Sequence, residues 1–216
     1  MKAKSVVLAG IGLMFLAGCG GQNRKTSSPP WDPNAVWDGN APAQDAIPDF
    51  FEGAAKGGAF PKSMVGVWEV EQREGTWGIK FEPDGSIKKI IHFLAGPVKI
   101  AEGGVQGKGP DEGTYYIFAM GPCEARYIPK TRMIKVKIIV DYYIMKLPAG
   151  DLEGRIEDYF EGPVCEDGKT WSVNLWDFSW LKDAATPDIN LVKANPEPLV
   201  FTKLDPNQLS TEKAKK

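Results

Sequence analysis

The side chains able to carry chemistry in this chain are few. The one histidine, His92, lies in the stretch IIHFLAG. A Ser-His-Asp or Cys-His site would have to use it, yet no G-x-S-x-G nucleophile elbow accompanies it. On an alternating strand His92 shares a face with Ile90 and Leu94, which predicts a hydrogen-bonded histidine beside the core. The segment DLEGRIEDYFEG is rich enough in carboxylates to suggest a glycosidase-like acid pair. Strand alternation, however, sends Glu157 and Glu161 to one face, expected to be solvated, and Asp158 to the other. Lys108 in GGVQGKG lacks the following Ser or Thr and the helix of a phosphate-binding loop. No catalytic residues, metal or cofactor are expected, and the chain reads as a non-enzyme.

Four polar residues sit on otherwise apolar faces. Asp158 lies between Ile156 and Phe160, and Asp177 continues the alternation of Trp171, Val173 and Leu175. Tyr116 and Tyr142 are similarly placed. An ionised carboxylate facing an apolar interior is costly unless it is paired or hydrogen-bonded. These four are the candidate ligand-binding residues, with a bulge, a rim position or an internal bond as the structural alternative. Cys123 and Cys165 each follow a Gly-Pro pair. A disulfide between them is expected, closing a loop of about 43 residues for roughly 4 kcal/mol. Two buried free thiols are the alternative.

The elements that would position these residues are strands. From Met64 the hydrophobic period becomes two: MVGVWEVEQ, TWGIKFE and SIKKIIHFL are joined by Glu-Gly and Pro-Asp-Gly turns. After the glycine-rich stretch AEGGVQGKGPDEG come TYYIFAM and CEARYI. The longest candidate is MIKVKIIVDYYIMK, with Ile134, Val136, Ile138, Val140, Tyr142 and Ile144 on one face. GRIEDYFE and TWSVNLWDFSW flank a turn at EDGK, and PLVFTKL follows a looser segment. About eight or nine antiparallel strands joined by short turns predict an all-β barrel or sandwich.

Ahead of these strands, residues 20–62 are punctuated by Pro, Asn, Asp, Ser and Gly without a period and read as a tether. Its aromatic residues Trp31, Trp37, Phe50 and Phe51 predict that its later part lies against the folded domain, with a turn near DAIPDFFEGAA. Lys2 and Lys4 precede an uncharged run, SVVLAGIGLMFLAG, shorter than the about 20 residues of a spanning helix. The run ends in Leu16-Ala17-Gly18-Cys19, which resembles the bacterial lipobox. That resemblance implies cleavage before Cys19, acylation of its thiol with palmitate-type chains, and a membrane-anchored lipoprotein of the cell envelope. Gly20 in place of Asp implies the outer membrane if the organism is Gram-negative. The expected layout is a signal peptide at 1–18, a lipidated cysteine and tether at 19–62, a barrel at 63–204 and a charged tail at 205–216.

The formal net charge of the whole chain is −2, and losing Lys2 and Lys4 makes it −4. Without a Lys/Arg-rich block there is no electrostatic footprint for nucleic acid. Gly66-Val67-Trp68, followed by GIKFEPDGSI, resembles the opening of lipocalin-like domains, and FTKL resembles their closing strand. The resemblance implies a lipocalin-like barrel in which Lys203 packs over Trp68, where the family more often has arginine. The function it implies is a lipid-anchored protein holding a small apolar ligand. The alternative is an envelope interaction module with a filled barrel and outer tryptophans such as Trp176 and Trp180 as its docking surface.

Overall fold

The computed structural model describes residues 45–54, 59–72, 75–92, 96–99, 104–108, 115–147 and 150–205. Cys19, Trp31 and Trp37 lie outside the described residues. Ten strands form one sheet: β1 Gly66–Gln72, β2 Gly75–Phe81, β3 Ile87–His92, β4 Gly96–Lys99, β5 Gly104–Lys108, β6 Tyr115–Ile128, β7 Met133–Leu147, β8 Gly150–Pro163, β9 Thr170–Leu181 and β10 Glu197–Lys203. Their order is β4-β3-β2-β1-β10-β9-β8-β7-β6-β5, with every pair antiparallel. The first strand pairs with the last, and β3 and β4 at one edge approach β6 and β5 at the other. The sheet is therefore a nearly closed all-β antiparallel barrel, as the alternation predicts. TYYIFAM and CEARYI run together as β6. Two short strands, β4 and β5, arise from the stretch around the glycine-rich segment, and a six-residue helix, α1 (Ile189–Ala194), from the looser segment before β10.

One end of the barrel is closed by aromatic side chains. The alternation of β2 sends Trp77, Ile79 and Phe81 inward, where they join Met64, Trp68, Trp171, Phe160 and Phe201 in the main core. The Trp68 indole N–H donates to the Met64 carbonyl at 2.7 Å. Trp68 and Lys203 are register partners across β1 and β10, and the ammonium lies 5.4 Å from the indole centroid while donating to the Ser63 carbonyl. Gly66 makes this possible. Its φ is +121°, and a Cβ there would meet Lys203 Cε at 2.9 Å. Gly66, Trp68 and Lys203 thus act together.

The cysteines are not joined: Cys123 and Cys165 are free thiols, which corrects the expected disulfide. Gly121-Pro122 is not a turn but part of β6, where the register with β7 shifts. Cys123 pairs with Ile138, and Ile138 with Asp158, so Cys123 sits level with Asp158. Cys165 follows the end of β8 at the closed end, roughly 20 Å further along the strand direction. That exceeds the span a disulfide bridges. Cys165 Sγ donates instead to Asp167 Oδ1 at 2.7 Å.

Two outcomes follow. Gly66→Ala should cost about 1–3 kcal/mol in urea unfolding, through the disfavoured backbone angle and the displaced lysine. A reducing agent should leave the melting temperature unchanged; a drop would restore the disulfide.

Candidate functional site

The register assembles a transverse row on the inner wall. Cys123 pairs with Ile138, Ile138 with Asp158, and Asp158 with Asp177. Directly paired residues of neighbouring strands point to one face, so these four side chains line the lumen at one height. His92 ends β3, which four strands separate from β8 in the sheet order. Its Nε2 lies 3.6 Å from Asp158 Oδ2, so the contact crosses the lumen. Both side chains are fully buried.

Aromatic rings surround this contact. Trp77 meets the His92 ring edge-on at 4.6 Å and Phe160 at 5.2 Å, while Phe118 lies 5.7 Å from His92 and stacks on Tyr143 at 5.9 Å. Ser179 Oγ donates to Asp177 Oδ1 at 2.9 Å. Neither Asp158 oxygen has a hydrogen-bond partner among the described residues. The cations of neighbouring strands are turned outward: Arg126 lies over Phe51, Lys135 over Phe50, and Arg155 pairs with Glu157.

Burial sets the protonation of this site. It pushes the Asp158 carboxyl well above its ordinary range, and Glu157 adds to the effect. Burial also raises Asp177 to about 7, reinforced by Asp158 and opposed by the Ser179 hydrogen bond and by His92. His92 is lowered to about 4 by burial, against the pull of Asp177. Burial drives the Cys123 thiol up to about 12 and raises the Tyr143 hydroxyl, the latter with a contribution from Asp177. At neutral pH the imidazole is therefore neutral, and burial pushes Asp158 toward its protonated form.

Of the four candidate ligand residues, the structure brings Asp158 and Asp177 together. Tyr142 is not with them. A bulge in β7 between Val140 and Tyr143 reverses the alternation, so Tyr142 hydrogen-bonds Glu153 at 3.2 Å while Tyr143 packs inside with Phe118, Val140 and Ile156. Tyr116 is opposite Met145 on β6, and its side chain lies outside the described part. Sequence reasoning missed Tyr143 and Ser179. Ser179 was within reach, two residues beyond Asp177 on the same alternation; nothing in DYYIM marks the bulge.

A second buried site occupies the outer face of β8 and β9. Residues 45–54 lie across it as a strap, with turns from Pro48 to Gly53. Phe50 meets Tyr159 edge-on at 4.9 Å and Trp176 at 6.4 Å, and Phe178 and Trp180 are buried with it. The Ala46 N–H and the Tyr159 hydroxyl both donate to Glu157 Oε2, at 2.7 and 2.6 Å. Lys137 pairs with Asp45 at 2.8 Å. Glu157 does lie opposite Asp158, but it is fully buried; the expected solvated face is corrected here. The strap covers Trp180, and the Trp176 indole donates to the Lys193 carbonyl of α1 at 3.1 Å. These tryptophans serve the chain's own packing.

No protein-family model, no curated protein and no solved structure gives a significant match to this chain.

The inner row makes stability depend on pH in a defined direction. Asp158 and Asp177 have folded-state pKa values above the ordinary carboxylate value, so the folded chain holds protons that the unfolded chain has lost. Their stabilisation is present at acid pH and declines as pH rises above the ordinary carboxylate range, until about pH 7 for Asp177. His92 has the opposite sign: its low folded value adds stability as pH rises from about 4 to 6.5 and nothing beyond. Around pH 6.5 to 7 the His92 gain is complete while Asp177 still titrates, and urea unfolding should show stability falling with pH there. Asp177→Asn should flatten that fall; an unchanged slope would remove Asp177 as its source.

Proposed function

We propose that this chain is a lipid-anchored cell-envelope protein, tethered through acylated Cys19, whose lipocalin-like barrel takes a small ligand where His92, Asp158, Asp177 and Tyr143 meet. The single observation that supports the ligand site most is Asp158: a carboxyl buried in the lumen with both oxygens lacking hydrogen-bond partners among the described residues. Such a group is costly for folding alone, and a ligand that satisfies it recovers that cost on binding.

The lumen limits what is taken. Trp68, Phe81, Ile138 and Phe160 are all fully buried in one continuous core, so an apolar molecule running the length of the barrel would have to displace them. The apolar ligand expected from the resemblance is thereby restricted to the half beyond Phe160, against Trp77, Phe118 and Tyr143. The filled end also favours the second reading, an envelope interaction module with no small-molecule site. Its expected docking surface is weakened by the strap over Trp180 and the partly buried Trp176.

Purifying the protein from native membranes and analysing it intact by mass spectrometry tests both parts. Acyl chains on an N-terminal Cys19 and a stoichiometric small molecule released on denaturation are the expected results. A clean, ligand-free barrel that still binds nothing from a native extract would favour the interaction module. Cys19→Ser should move the protein from the membrane to the soluble fraction without changing its melting temperature, because Cys19 lies about 25 residues ahead of the strap, which begins at Asp45. Unchanged membrane association would overturn the lipid anchor.

A further inference from the structure

The inner row gathers carboxyl oxygens that no neighbouring cation meets. Asp158 presents two oxygens, Asp177 a second oxygen beyond the one held by Ser179, and His92 approaches Asp158 as a neutral ring. The two carboxyls are directly opposed on adjacent strands, and the cations of the neighbouring strands point the other way. An anionic ligand would be repelled as either carboxyl ionises, and a purely apolar one would leave the Asp158 oxygens unmet. A cation with N–H donors satisfies both needs. Trp77 and Phe118 flank His92, with Tyr143 stacked behind Phe118, and aromatic faces attract a desolvated cation.

Resting on the ligand site described above, we infer that its ligand carries a protonated primary or secondary amine, seated on Asp158 and Asp177 with its apolar part against Trp77, Phe118 and Tyr143. The step is a charge exchange without covalent chemistry. The ammonium enters, a carboxyl proton leaves to solvent, and the site keeps its net charge.

Hexylamine and hexan-1-ol differ at one end only and serve as probes, with titration calorimetry and tryptophan fluorescence on the mature full chain. Hexylammonium should bind at least about tenfold more tightly than the alcohol, a difference of about 1.4 kcal/mol. Asp158→Asn and Asp177→Asn should each weaken the amine tenfold or more and leave the alcohol unchanged. Should Asp158→Asn fail to fold, the partly exposed Asp177 carries the test alone. Equal or tighter binding of the alcohol overturns the amine and leaves the ligand site standing. Saturable binding of neither probe overturns both, and amine binding indifferent to the folded variants places it elsewhere and overturns this assignment.

Discussion

Strand β8 is buried on both faces, and two acids stand next to each other at its centre. The pleat sends Asp158 into the lumen and Glu157 to the outside, so neither can share the other's partners. Each must be accommodated by a separate part of the chain. Glu157 is met by a backbone N–H of the strap, the Tyr159 hydroxyl and Arg155. Asp158 faces His92 from across the barrel and is pushed by burial toward its protonated form. The two remain coupled, because a negative charge on Glu157 makes ionising Asp158 harder. What lies on the outer face therefore bears on the charge state of the inner one.

The strap holds its place by the same physics that closes the barrel. Phe50 and Phe51 bring apolar rings to a face whose strands already present Tyr159, Phe178 and Trp180. Arg126, Lys135 and Lys137 then sit over those rings, covering them with aliphatic stems while their heads stay near solvent. At the closed end Lys203 does the same over Trp68 and caps a carbonyl of the short turn at Lys62–Met64. A side chain that is half hydrocarbon and half charge is suited to the edge of a packed aromatic cluster in both places.

The lumen is divided by size and polarity. Toward the closed end the residues are large, apolar and interlocked edge-to-face, which leaves their packing with little tolerance for a guest. Toward the other end the described wall carries two carboxyls, an imidazole, a serine and a tyrosine beside Trp77 and Phe118. Burial is the largest cause of that half's sensitivity to pH, with the neighbouring carboxyls adding to it.

Much of this was legible in the residues themselves. Period-two alternation located eight strands and put Asp158 and Asp177 on inward faces, because side-chain direction along a strand depends only on parity. Gly66, Trp68 and Lys203 were marked as a set by a family resemblance and not by alternation, while aromatic content alone indicated that Phe50 and Phe51 would dock. The tertiary structure decided what parity cannot reach. A bulge in β7 exchanged Tyr142 for Tyr143, since one extra residue reverses every direction after it. Separation along the barrel kept Cys123 and Cys165 apart, though both follow Gly-Pro. The strap buried Glu157 on a face that alternation alone would leave in water. His92 reached Asp158 because a sheet that curls on itself brings together strands remote in its order, and that closure is a property of the whole fold.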